Sequence, residues 1–199
     1  GHMVEIEKKF RLTQEQERQL LEGATSMGVK KNTDIYFDTE DFVLTRQDHW
    51  LRERNGRFEV KKRLHELGWK QGGTSYDEIE TEEGVRAFLE LPVVGSLGID
   101  LARAGYKPFA HIVTTRRSFE RDGFHIDLDE ADFGYTLAEI ELMIENPSEQ
   151  QAALDRINAF ALRMGIIDSR TRGKVIEYLS RFSPLHYQAL QDAGVINDV

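Results

Sequence analysis

A chain of 199 residues is long enough to bury a sizeable core and most simply forms one domain. Its 26 Lys and Arg against 35 Asp and Glu leave a net charge of −9, a poor match for nucleic acid or an anionic membrane surface. It has no cysteine, which excludes disulfides and thiolate chemistry, and no apolar run that reads as a membrane span or a secretory h-region. These features predict a cytoplasmic, monomeric domain over residues 4–193, without nucleic-acid or membrane partners. Gly1-His2-Met3 reads as a remnant of tag removal and 194–199 as a tail.

In chain order, Val4-Glu5-Ile6-Glu7-Lys8-Lys9-Phe10-Arg11-Leu12 alternates with a period of two and predicts a strand. Glu5, Glu7, Lys9 and Arg11 form its charged face, and Lys8 is the one charge among the apolar residues; its ammonium is expected to reach solvent past a packed stem. Thr13-Gln14-Glu15-Gln16 fits a capping box, opening a helix that carries Leu20, Leu21, Ala24 and Met27 and stops at Gly28. Strands follow at 34–38, 44–45 and 50–54; Asn55-Gly56 is a tight hairpin turn into a strand over 57–64. A glycine-bearing loop over 68–74 leads to a strand over 75–81, then to helices over 81–91 and 99–104. Strands over 109–120, 123–129 and 135–144 come next, the first two joined by the turn Arg121-Asp122-Gly123. Asn146-Pro147 starts a long helix that runs to Gly165, and helices over 172–182 and 184–193 close the chain. About eight strands in hairpin order with flanking helices predict an α+β fold, an eight-stranded antiparallel β-barrel.

The charged stripes recur. Trp50, Arg52 and Arg54 share a face; so do Arg57, Glu59, Lys61 and Arg63; Glu78 and Glu80; Thr115 and Arg117, with Arg116 opposite; Asp127 and Asp129; Glu139 and Glu141. Each stripe alone fits a solvated outer face. Together they also fit a barrel whose charged faces line a tunnel. There, carboxylates would supply the oxygens that Mg²⁺ or Mn²⁺ prefers, and Lys and Arg would grip phosphate oxygens. His111 and His125 are not assigned as ligands, because so many carboxylates suit a hard cation better than zinc.

In this order the motifs resemble the CYTH, or triphosphate tunnel metalloenzyme, superfamily. Glu5-Ile6-Glu7-Lys8-Lys9 matches its ExExK signature. Arg52-x-Arg54, Glu59-x-Lys61, Glu78, Arg117, Asp127-Leu128-Asp129, Glu139-x-Glu141 and Lys174 follow in the family's order, so the likeness covers Val4 to Tyr187. Tyr36-Phe37-Asp38-Thr39, Asp48-His49-Trp50-Leu51-Arg52, the stretch from Asp129 to Tyr135 and the stretch from Tyr178 to Pro184 are most similar to the animal-type thiamine triphosphatase branch. The mammalian pattern has cysteines and longer connections around 68–74 and 120–123.

The resemblance implies Mg²⁺-dependent removal of the terminal phosphate of a small-molecule triphosphate, thiamine triphosphate. It implies metal-facing carboxylates at Glu5, Glu7, Asp127, Glu139 and Glu141, with Glu78 a further candidate. Lys9, Arg52, Arg54, Lys61, Arg117 and Lys174 would grip the triphosphate, and Trp50 would stack on the cationic thiazolium. Lys9 or Lys61 would serve as general base, with Tyr36 polarising Lys9. An inorganic tripolyphosphatase and a non-catalytic polyphosphate- or nucleotide-binding module remain the alternatives.

Overall fold

A computed structural model describes residues 3–64, 73–166 and 171–196. Residues 68–72 of the expected glycine loop lie outside them. Eight strands form, as expected: β1 (Val4–Phe10), β2 (Thr25–Asp38), β3 (His49–Arg54), β4 (Arg57–Leu64), β5 (Gly73–Ile79), β6 (Lys107–Arg121), β7 (Phe124–Ala131) and β8 (Tyr135–Ile144). Their hydrogen-bonded order closes on itself as β1-β5-β4-β3-β2-β6-β7-β8. The helices are α1 (Gln14–Leu21), α2 (Glu82–Leu89), α3 (Leu97–Arg103), α4 (Gln150–Arg163), α5 (Lys174–Phe182) and α6 (Pro184–Asp192). None among the described residues is long and apolar enough to cross a membrane.

Two hairpins set the register. Asn55 and Gly56 both take positive φ, 50° and 84°, so β3 returns as β4 with Trp50 opposite Lys61 and Arg52 opposite Glu59. Asp122 and Gly123, at 52° and 85°, do the same for β6 and β7 and set Ser118 opposite Asp127 and Arg116 opposite Asp129. Directly opposed residues share a face of the sheet.

The chain's contacts divide it into two compact units. The first comprises Gly1–Lys31, Leu64–Asp77 and Thr114–Lys174. Its core joins Ile6 and Phe10 of β1 and Ile126 and Ile140 of β7 and β8 to Leu154, Ile157 and Phe160 of α4. Each such side chain contributes about 1.5–3 kcal/mol by leaving water. The second comprises Asn32–Arg63, Glu78–Val113 and Val175–Val199, with a core of Leu44, Leu51, Val60, Val85, Leu97 and Leu101.

Three local expectations are corrected. The first helix ends at Leu21, not near Gly28: Gly23 turns the chain at φ 76°, and Ala24, Met27 and Gly28 lie beyond it, the last two in β2. Residues 44–45 are not a strand. The Asp38 carboxylate accepts from the backbone N–H groups of Thr39, Leu44 and Thr45 and from the Thr45 hydroxyl at 2.6–3.0 Å. It thereby takes donors that a strand would need, and Thr45–Gln47 forms a 3₁₀ turn. Lys8 does not reach solvent. It is 2% exposed, donates to Asn158 Oδ1 of α4 at 2.6 Å and lies over the Phe10 ring.

Candidate active site

In the first unit, carboxylates from three neighbouring strands meet. β1 pairs with β8 so that Glu7 faces Glu141 and Lys9 faces Glu139; β7 pairs with β8 so that Asp127 faces Glu139. Glu5, Glu7, Asp127, Asp129 and Glu139 are all buried, which removes the solvated-face alternative for these three stripes. One oxygen from each of Glu5, Glu7 and Glu141 lies within 4.8 Å of the others. Burial, together with the charges of Glu5, Glu139, Glu7 and Asp127, pushes the Glu141 carboxyl well above its ordinary range. Carboxylates held this close against repulsion fit a hard divalent cation, which takes oxygen ligands and relieves the repulsion.

Basic groups stand beside them. Lys9 donates to Glu7 at 2.9 Å. Arg116 makes a bidentate pair with Asp129, Nε and Nη2 each at 2.7 Å, and its Nη1 is 3.3 Å from Asp127. Lys174, the first residue of α5, also donates to Asp129. Gly173 before it lets the backbone pass the Lys9 side chain: a Cβ there would meet Lys9 Cε at 3.2 Å. Burial would raise the Glu139 carboxyl, but Lys9, Arg116 and Lys174 outweigh it and hold it well below the usual range. Asp127 lies below its ordinary value despite burial, through His125, Arg116 and the Ser118 hydroxyl, which donates at 2.6 Å. Arg117 is placed elsewhere: its guanidinium is half exposed and pairs with Glu17 of α1 at 2.5 Å. Arg116 is the arginine of this group that the sequence reading passed over.

The remaining candidates belong to the second unit. Arg54 makes a bidentate pair with Asp34, both bonds 2.7 Å. Arg52 donates to Glu59 at 2.5 Å. Burial pulls its guanidinium down, but Tyr36, Glu59 and Asp34 together raise it above its usual value. Lys61 and Glu78 form an ion pair at 3.6 Å. Tyr36 packs edge-on against Trp50, centroids 6.4 Å apart. The Trp50 indole N–H donates to Asp48 at 2.7 Å, and Arg63 holds the other oxygen of that carboxylate at 3.1 Å. Asp48 is thus a second residue not singled out from the sequence. It sits at φ 60° just before β3, where its carboxylate fixes the ring of Trp50.

The fold and these side chains define an eight-stranded antiparallel β-barrel with acidic and basic groups clustered on the strands themselves. The CYTH domain model matches residues 3–171, and the chain belongs to the CYTH domain family. It is 32% identical over 210 residues to a thiamine-triphosphatase of Macaca fascicularis, an alignment covering 96% of this chain and 91% of the relative. Against the Homo sapiens thiamine-triphosphatase it is 30% identical over 209 residues, with the same shares covered. Among solved structures, a Pyrococcus horikoshii protein aligns over 89% of this chain and 99% of its own at a TM-score of 0.65 and 22% identity, a likeness of fold.

Proposed function

We propose that this protein is a divalent-metal-dependent hydrolase that removes the terminal phosphate of thiamine triphosphate, giving thiamine diphosphate and phosphate. The observation that carries the proposal is the nearly full-length relationship to thiamine-triphosphatases, in a chain that brings Glu5, Glu7 and Glu141 to one point. Mg²⁺, or Mn²⁺, would be held by Glu5, Glu7 and Glu141, with Asp127 and Glu139 as further donors. When bound, the ion neutralises phosphate charge and polarises the reacting oxygens. The protein's own part is positioning and charge, which is most of what phosphoryl transfer requires.

Lys9, Arg116 and Lys174 bind phosphate oxygens. Each now pairs with a carboxylate, so the cationic groups are held in place before substrate arrives. Arg52, Arg54 and Lys61 supply further cationic donors. Their pairs with Glu59, Asp34 and Glu78 fix their side chains in the same way. We give Arg116 the role that the motif order assigned to Arg117. Trp50 presents its indole to the cationic thiazolium, and Asp48 keeps the ring in one orientation. Whichever of Lys9 and Lys61 takes the proton of the attacking water does so as the neutral amine, while the other stays a cationic donor. We place the enzyme in the cytoplasm and acting as a monomer.

The test is phosphate release from thiamine triphosphate, tripolyphosphate and ATP, side by side with Mg²⁺. Thiamine triphosphate is expected to be the preferred substrate, and Glu7→Gln to abolish release. Trp50→Ala should raise KM for thiamine triphosphate by roughly thirtyfold, the scale of a desolvated cation–π contact of about 2 kcal/mol, and leave tripolyphosphate unchanged. Equal loss on both substrates would overturn the stacking role. No release from any of the three would overturn the enzyme reading.

A further inference from the structure

A second set of ligand atoms lies beside the first. His125 of β7 stands directly between two cross-strand carboxylates, Glu120 of β6 and Glu141 of β8. Its Nδ1 is 2.9 Å from Glu120 and its Nε2 is 2.9 Å from Asp127. One atom from each of His125, Asp127 and Glu141 lies within 4.8 Å of the others. A carboxylate on one imidazole nitrogen and a ligand cluster on the other is the arrangement by which proteins orient a metal-binding histidine. Glu120 would fix the ring and its tautomer, leaving Nε2 to the ion.

We propose that His125, Asp127 and Glu141 form a second cation subsite, one that selects borderline transition-metal ions such as Co²⁺ or Zn²⁺ over Mg²⁺. The donor chemistry separates the two subsites. Glu5, Glu7 and Glu141 offer oxygen alone, the set Mg²⁺ prefers. An imidazole nitrogen with two carboxylates suits first-row transition metals, for which nitrogen strengthens binding. Glu141 belongs to both groups, and Asp127 is a further donor to the first, so occupancy of one subsite acts on the other through shared ligands. In the ion-free protein a hydrogen atom on Nε2 joins His125 to Asp127; the incoming ion displaces it as a proton, and no other bond changes. Glu120 is a positioning residue here, not a ligand. The inference concerns the ion alone and does not depend on which triphosphate is cleaved.

The full chain, stripped of metal with a chelator, is titrated with Co²⁺ by calorimetry and visible absorption, and separately with Mg²⁺. Wild type is expected to bind Co²⁺ more tightly than Mg²⁺. His125→Ala should weaken Co²⁺ by 10–100-fold and Mg²⁺ by only a few-fold, through the His125 contact with Asp127, and Glu120→Gln should weaken Co²⁺ by about tenfold. Unchanged Co²⁺ affinity in His125→Ala overturns the proposal. So does an equal loss of both ions, which would make His125 only a support for Asp127. Wild type gives an independent check that needs no variant. Zn²⁺ should shift the ¹⁵N resonance of His125 Nε2, and an unmoved resonance rejects ligation. Mg²⁺-supported phosphate release is scored apart: a chain that hydrolyses but does not bind Co²⁺ through His125 loses only this inference, and one that binds Co²⁺ but releases no phosphate keeps it.

Discussion

Neighbouring residues of a strand point to opposite faces, and β6 shows what that does to two arginines. Arg116 is mostly buried and joins Asp129, Asp127 and Glu139; Arg117 is half exposed and meets one glutamate of α1. Replacing Arg116 breaks a buried bidentate pair and removes a positive charge from beside three carboxylates, while replacing Arg117 loses a screened surface pair. In urea unfolding of the metal-free protein, Arg116→Ala should therefore cost about 3–5 kcal/mol and Arg117→Ala under about 1 kcal/mol. Phosphate release should fall steeply only in Arg116→Ala. Motif order singled out Arg117 for the triphosphate, whereas the arginine that meets the carboxylates is Arg116. Counting back from the turn at Asp122-Gly123 would have found the right one, because Arg116 falls opposite Asp129 and so on its face. Asp48 offered no such signal. Its contact with Trp50 depends on a left-handed backbone angle that the sequence does not announce.

At the scale of elements, α6 is tied to the segment after β2 by one imidazole. His186 is buried; Phe42 stacks on its ring with centroids 3.9 Å apart, and Phe109 meets it edge-on. The Thr45 hydroxyl donates its hydrogen to Asp38, so at the 2.8 Å contact with Thr45 the His186 Nε2 must be the donor. Burial pulls the imidazole down to about 4, against a smaller upward pull from Asp38. The folded state therefore holds the neutral ring. Between the ordinary histidine value and about 4 the unfolded chain binds the extra proton, so stability is intact above that window and lost as pH falls through it. The loss is on the order of 3 kcal/mol. Wild type should lose unfolding free energy relative to His186→Phe between pH 7 and pH 4, and parallel curves would show that the ring is not the source. The strands and hairpins of the sheet were legible from alternation and from the Asn-Gly and Asp-Gly turns. Residues 44–47 were not, because the Asp38 carboxylate redirects their backbone and its reach is a tertiary fact.

For the molecule as a whole, the carboxylate cluster makes an ion a folding ligand. Only the native chain brings Glu5, Glu7 and Glu141 together, so an ion at a hundred times its Kd adds about 2.7 kcal/mol. In a chain of this length, Mg²⁺ at that level should raise Tm by about 5–10 °C over the chelated protein, as read by calorimetry. Glu141→Gln removes the carboxyl that its neighbours push upward. It should raise the Tm of the chelated protein and shrink the Mg²⁺ shift. That such a cluster exists was legible in the paired carboxylates at alternate positions of three strands. Which three oxygens converge was not, because that depends on the pairing of β1, at the start of the chain, with β8.

Lys8 turns the packing of α4 into a clock. An amine must be open to water to be acylated, and this one lies 2% exposed beneath Asn158. It can react only while α4 lifts from β1, a local opening with its own free energy. Acylation at Lys8 would therefore advance at the frequency of that opening, and a variant such as Leu154→Ala would make it run faster without touching the lysine.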